Sequence, residues 1–239
     1  GRVIASKKPS RSRPGTVHDM PAPLRVDIWS DVVCPWCYIG KRKLEAALAE
    51  LDGEVPVTVR YHAFQLDPTA PPGVAQPMTD VYAKKFGGPD NATKLIARTT
   101  QAAAEVGLDF HLDIAVRANT LLAHRVVWLA GRPESPVPQA DVKDRLMRAY
   151  FTEGRNVGDP DTLADVAGEL GFDRQVVREW LDTDAGVAEV AADLQRATDY
   201  GITAVPTYVI NEQWSLPGAQ DVDTFVNVLR RLQAKAAES

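Results

Sequence analysis

The chain has 239 residues, 45% of them apolar and 25% charged, with a formal net charge of −5, two cysteines and four histidines. This ordinary globular usage excludes global disorder, and two cysteines exclude a disulfide framework for a chain this long. The length fits one large domain or two small ones, with a core built by apolar burial.

Residues 1–23 set Arg2, Lys7, Lys8, Arg11 and Arg13 against the single acid Asp19. They are rich in Ser, Pro and Arg, show no apolar periodicity and read as a disordered basic extension. Met20 stands just before the first strand pattern as a candidate natural start, so residues 1–20 are read as either native or added sequence. The arm lacks the aromatic interleaving of a nucleic-acid binder. The acidic remainder argues against nucleic-acid and anionic-membrane partners. No run approaches the roughly 18 apolar residues of a spanning helix, and no secretory signal is visible. The expected location is therefore the cytoplasm.

Leu24–Ser30 is a short β-rich run and reads as a buried strand. A helix is predicted to start at Pro35, where proline's missing N–H costs nothing, and to stop near Gly53. Val57, Val59, Tyr61 and Ala63 share one face of a second strand. This opening fits a right-handed βαβ unit. Pro68, Pro71, Pro72 and Pro77 then break the chain, and the next hundred residues read as helices only. The predicted caps and spans are Thr79, Asn91 to Gly107, Asn119 to Ala130, Gln139 to Thr152, Asp159 to Gly171, a helix capped by Asp173, and Ala185 to Tyr200. Strand character returns at Thr207–Ile210, turns at Asn211-Glu212 and continues through Trp214–Leu216. A final helix carries Val222, Phe225, Val226, Leu229 and Leu232 at helical spacing. The expected architecture is an α/β domain in two pieces, residues 24–66 and 191–239, with an all-helical insertion over 67–190.

Both cysteines fall in one motif, Cys34-Pro35-Trp36-Cys37. At a helix start this spacing puts both sulfurs on one side of the first turn, at a separation compatible with a disulfide. The positive helix end favours a thiolate at Cys34. Cys37 lies one turn in and is expected to be more buried. Cys34 is thus the attacking nucleophile and Cys37 the residue that resolves a mixed disulfide. A zinc site is the competing use, but it needs about four ligands, and the chain has no second C-x-x-C and only isolated histidines. No metal is expected. Inert core cysteines are the other alternative, disfavoured by Pro35 and Trp36 between them.

The run Ser30 to Gly40 around this motif closely resembles the start of the DsbA-like thioredoxin-fold oxidoreductases, of the FrnE-type subfamily. Phe64-Gln65-Leu66-Asp67-Pro68, Asn119-Thr120 with Ala123-His124, Gly201 to Thr207, and Gly218-Ala219-Gln220 resemble further subfamily segments, in the expected order. The resemblance covers about Leu24 to Leu232. It implies a thioredoxin-like fold with an inserted helical domain. It also implies a cis-proline at Pro206 facing the cysteines, with the Val205 backbone free to pair with an extended substrate. Without it, a trans proline opening a strand would be the ordinary reading. Asp27 resembles the buried acid behind the cysteines of thioredoxin-like proteins but stands one residue out of register, and a solvent-facing side chain is the alternative. Asp31, Phe64, Asn119 and His124 are candidate cleft residues. Asp31 either acts on Cys34 electrostatically or bonds its own loop, and a lone histidine such as His124 is often structural. His62 and His111 receive no role; Trp29, Trp128 and Trp180 are read as core, and Trp36 as an exposed substrate contact.

The leading expectation is a thiol–disulfide oxidoreductase acting on a disulfide- or dithiol-containing protein or small molecule. No bound cofactor is expected beyond the redox pair itself, and glutathione is a possible co-substrate. The alternative is a glutathione-dependent isomerase or transferase, such as the related 2-hydroxychromene-2-carboxylate isomerases and kappa-class glutathione transferases. These typically lack the paired cysteines. A third class is a non-catalytic interaction module, disfavoured because the only two cysteines of the chain form the motif.

Overall fold

The computed structural model describes residues 21–239. The expected extension over 1–23 therefore lies outside the described residues but for its last three. A four-stranded sheet forms from β1 (Leu24–Ser30), β2 (Val57–Ala63), β5 (Thr207–Ile210) and β6 (Trp214–Pro217) in the order β2-β1-β5-β6. β1 and β2 are parallel, Leu24 opposite Val57 through Ser30 opposite Ala63. Between them runs α1 (Pro35–Glu50), with Cys34 at its N-cap and proline in its first turn. β5 pairs antiparallel with β1 and then with β6 across a tight turn in which Asn211 and Glu212 take φ of 50° and 58°.

The period-two alternation of β1 sends Leu24, Val26 and Ile28 to one face and Trp29 to the other. On the first face the core joins these residues to α1 and to Phe225, Val226, Leu229 and Leu232 of α9 (Val222–Ala237). On the second, Trp29 packs with Val209, Ile202 and Ala197 of α8 (Val187–Asp199). α1 lies close on the sheet because residue 40 is glycine: a Cβ there would meet the Tyr208 hydroxyl at 2.6 Å.

Between β2 and α8 the chain forms α2 (Met78–Lys85), α3 (Pro89–Ala104), α4 (Leu121–Ala130), α5 (Gln139–Phe151), α6 (Pro160–Glu169) and α7 (Arg174–Leu181). This segment is not all-helical. Two-residue strands β3 (Gln76–Pro77) and β4 (Val116–Arg117) pair antiparallel within it. Two residues are too few to leave a period-two signal. Asp159 and Asp173 cap α6 and α7 through their side chains, as predicted. Thr79 and Asn91 do not cap: α2 opens after Pro77 and α3 after Gly88, and the Asn91 amide instead donates to the Phe86 carbonyl at 2.9 Å. Proline's fixed φ at or beside each start outweighs the polar side chain. α8 is continuous through residue 190, where the insertion was expected to end.

Candidate active site

The β1–α1 turn places Cys34 at the N-cap and Cys37 one turn in, both as free thiols. The two residues are equally buried, each 3% exposed, so the expected contrast between them is absent. Cys34 is covered by the segment before β5: its Sγ lies 3.7 Å from the Val205 carbonyl. The Val205–Pro206 bond is cis. Trp36, between the cysteines, is 37% exposed, while Pro35 is half-buried.

Burial is the largest influence on Cys37 and pushes its thiol well above the usual range. A hydrogen bond and the charge of Cys34 push the same way, and a backbone hydrogen bond at Asp31 and the charge of Lys143 oppose them. Cys37 therefore holds its proton.

Asp31, three residues before Cys34, is fully buried. Its carboxylate accepts from the Leu66 amide at 2.9 Å and from His124 Nε2 at 3.0 Å. The same His124 nitrogen lies 2.9 Å from the Phe64 carbonyl. Both neighbours are acceptors, so Nε2 carries the hydrogen. Burial alone would raise the Asp31 carboxyl. The bond and charge of His124, the Leu66 amide and the charge of Lys143 outweigh it and hold Asp31 below the usual carboxylate range.

Phe64 thus contributes its carbonyl, while its ring packs against the Trp29 cluster on the other face of the sheet. Asn119 serves as an anchor: its amide donates to the Ala70 carbonyl at 2.9 Å and its Oδ1 accepts from the Leu121 amide at 3.1 Å. Asp27 neither faces solvent nor stands behind the cysteines. It is buried on the face of β1 that looks toward α8, 2.6 Å from His62 Nε2. Strand alternation from Ile28, which faces the cysteines, puts it there.

At Val33, the residue before Cys34, the β1–α1 turn borders a cleft of about 490 Å³ against the inserted helices. Val33, Leu66, Met78, Val81, Tyr82 and Tyr150 supply its apolar wall. Lys84, Lys85 and Arg117 outnumber Asp67 and Asp80 among its charged lining residues. Burial, followed by the charge of Cys34, pushes the Tyr82 hydroxyl up to about 12. Two buried thiols at a helix start, with Cys34 against the backbone carbonyl that precedes a cis-proline, form a dithiol site.

Residues 25–230 match the DSBA-like thioredoxin domain family. The chain belongs to that family. Its fold is accordingly the DsbA-like thioredoxin fold, an α/β sheet carrying a largely helical insertion. A probable DsbA oxidoreductase from Streptomyces coelicolor is 32% identical, with a TM-score of 0.78 over 87% of this chain and 89% of its own. The uncharacterized protein YwbO of Bacillus subtilis is 26% identical over 89% of this chain and 98% of its own length. The cytosolic disulfide reductase DsbM of Pseudomonas aeruginosa, solved with GSH, shares the fold at 21% identity and a TM-score of 0.60, over 87% of this chain and 98% of its own.

As a DsbA-like chain, the protein holds near its thiols three residues that sequence reasoning missed: Tyr82, Tyr150 and Lys143. The charge of Cys34 reaches both tyrosines, and that of Cys37 reaches Lys143. All three come from the insertion, and in sequence each resembles an ordinary helical residue. Among the described residues no three His, Cys, Asp or Glu side chains are grouped to hold a metal, and no helix is long and apolar enough to cross a membrane.

Proposed function

We propose that the protein is a thiol–disulfide oxidoreductase of FrnE type. Cys34 attacks a substrate disulfide and Cys37 resolves the mixed disulfide. The observation that carries this reading is the pair of free thiols in the first turn of α1, with Sγ of Cys34 against the Val205 carbonyl. In the first step Cys34, at the start of α1, bonds as a thiolate to one substrate sulfur and the other leaves as a thiol. In the second, Cys37 loses its proton and bonds to Cys34. The remaining substrate sulfur leaves with the pair of electrons and takes up a proton. One substrate disulfide is reduced to two thiols, and the cysteine pair is oxidised. The reverse sequence oxidises a dithiol.

The Val205 backbone offers an extended substrate a strand-like partner, and Trp36 an exposed aromatic contact. Substrates are disulfide- or dithiol-containing proteins or small molecules. No bound cofactor takes part. Glutathione serves as co-substrate, its carboxylates suited to the cations at the cleft. The protein works in the cytoplasm.

The test is reduction of insulin disulfides and oxidation of a reduced peptide. Cys34→Ser should abolish both. Cys37→Ser should accumulate a covalent substrate adduct visible by mass spectrometry. If wild type turns over neither substrate, the reading fails. If a glutathione-dependent isomerisation or transfer survives Cys37→Ser, the chain is an isomerase or transferase of the same fold instead.

A further inference from the structure

Lys143 is completely buried on α5, and its Nζ has no hydrogen-bond partner among the described residues. An isolated ammonium in an apolar interior is costly, and buried cations are normally paired. What surrounds it is known on each side. From β2, the Tyr61 ring lies 5.6 Å from Nζ. The charges that reach it are those of Cys34 at the N-cap of α1, Cys37 and the cation Lys41 within α1, and the Asp31 carboxylate in the β1–α1 turn. The helix is locked in place by the next residue. Asp144 accepts from the hydroxyl of Tyr38, the residue after Cys37, at 3.1 Å, and pairs with Arg42 and Lys41. Asp144 thus ties α5 to α1 one residue after Cys37, and Lys143, buried beside Asp144 in the chain, lies close enough for the charge of Cys37 to reach it.

We propose that Lys143 is a positioning residue whose buried ammonium is the counter-charge to the Cys37 thiolate formed as the mixed disulfide is resolved. The inference rests on the disulfide chemistry proposed above. In the resting dithiol Cys37 is a neutral thiol, so the negative charge that reaches the ammonium there is that of Asp31, without a hydrogen bond between them. When Cys37 gives up its proton, a negative sulfur appears within reach of a positive charge that is already in place. The Cys37 thiolate then attacks Sγ of Cys34 and the Cys34–substrate bond breaks. The departing substrate sulfur receives the electron pair and the proton that Cys37 released. The attraction is strongest while Cys37 is ionised and vanishes in the finished disulfide, so it lowers the barrier of that step rather than stabilising either end state. The titration behaviour agrees. Burial lowers the Lys143 amine to about 8, and the largest opposing influence is the charge of Cys37, ahead of Asp31 and Cys34. Asp27, on the far face of β1, cannot supply this function. The alternative is a purely structural Lys143 that offsets the buried Asp31 charge.

The experiment preloads Cys34 with a small aromatic thiol and follows its release across pH in wild type and Lys143→Met. The expected result is a resolution profile displaced to higher pH by at least one unit, with release at neutral pH about tenfold slower. A profile that overlays wild type overturns the proposal and leaves Lys143 as the partner of Asp31. Should Lys143→Met fail to fold, Lys143→Gln takes its place: the same displacement to higher pH is expected, and a profile that overlays wild type overturns the proposal. A wild type that resolves no preloaded disulfide at any pH would instead sink the oxidoreductase reading, whatever Lys143 does.

Discussion

At the residue scale the site combines a buried pair of thiols at the start of one helix with charges that the interior holds in fixed states. Asp31 is a carboxylate kept ionised under complete burial by His124 and the Leu66 amide. Its folded-state value lies below its unfolded one, so its stabilisation is present above about pH 4 and lost as pH falls below that. His124→Ala should leave this buried charge short of a donor and destabilise the fold by about 1–3 kcal/mol, measured by urea unfolding at pH 7. A His124→Ala variant as stable as wild type would mean that the Leu66 amide suffices. The cysteine pair was readable because both thiols lie within four consecutive residues. Lys143 was not, since a lysine in a helical pattern is normally a solvated face residue, and only packing turns this one inward.

At the element scale the sheet is joined to α8 by a buried charge cluster. His62 of β2 stands between Asp27 of β1, 2.6 Å from Nε2, and Asp193 of α8, 2.8 Å from Nδ1. Its ring stacks on Trp29 at 4.5 Å, and the Trp29 indole donates to the Asp193 carbonyl at 3.0 Å. Arg196 approaches the same Nδ1 at 2.9 Å, a contact only a neutral ring could accept. Direct bonds to two carboxylates favour the imidazolium, although Arg25 and Arg196 each share one of them. Burial opposes the charge on His62, yet the bonds and charges of Asp193 and Asp27 prevail and raise its value above the ordinary one. Both aspartates are lowered despite burial. The histidine contribution is therefore complete below about pH 6.5 and lost as pH rises through the higher folded-state value. The carboxylate contributions are lost below about pH 4. His62→Gln should cost about 3 kcal/mol at pH 6 and flatten the dependence of Tm on pH between 6 and 9. A variant that keeps the wild-type slope there would assign it to another group. The sequence placed His62 on a strand, but its two aspartate partners lie 35 and 131 residues away.

At the scale of the whole molecule, the insertion packs against α1 and closes one side of the cleft next to Cys34. Filling that cleft tests whether it selects substrate. Val81→Trp, on the cleft wall, should lower kcat/KM for insulin by about tenfold, chiefly through KM. The redox potential of the pair should stay where it is, because Val81 is not among the groups whose charge reaches the thiols. A potential that moves with the substitution would mean the cleft acts on the thiols and not on substrate.

The sequence by itself determined the strand–helix–strand opening, the dithiol at the helix start, the β-hairpin and closing helix, and, through resemblance, the position of the cis-proline. Each is written in local signals: alternation, helical spacing, caps, or a motif of consecutive residues. Tertiary structure decided what surrounds the thiols. His124 meets Asp31 across 93 residues, and Asp144 meets Tyr38 across 106. It also decided that Asp27 turns away from the cysteines and that the insertion contains a small strand pair. Hydrophobic periodicity records which face of an element is buried, not which distant charge is buried against it. The electrostatics of this site arise only when the insertion closes over the sheet.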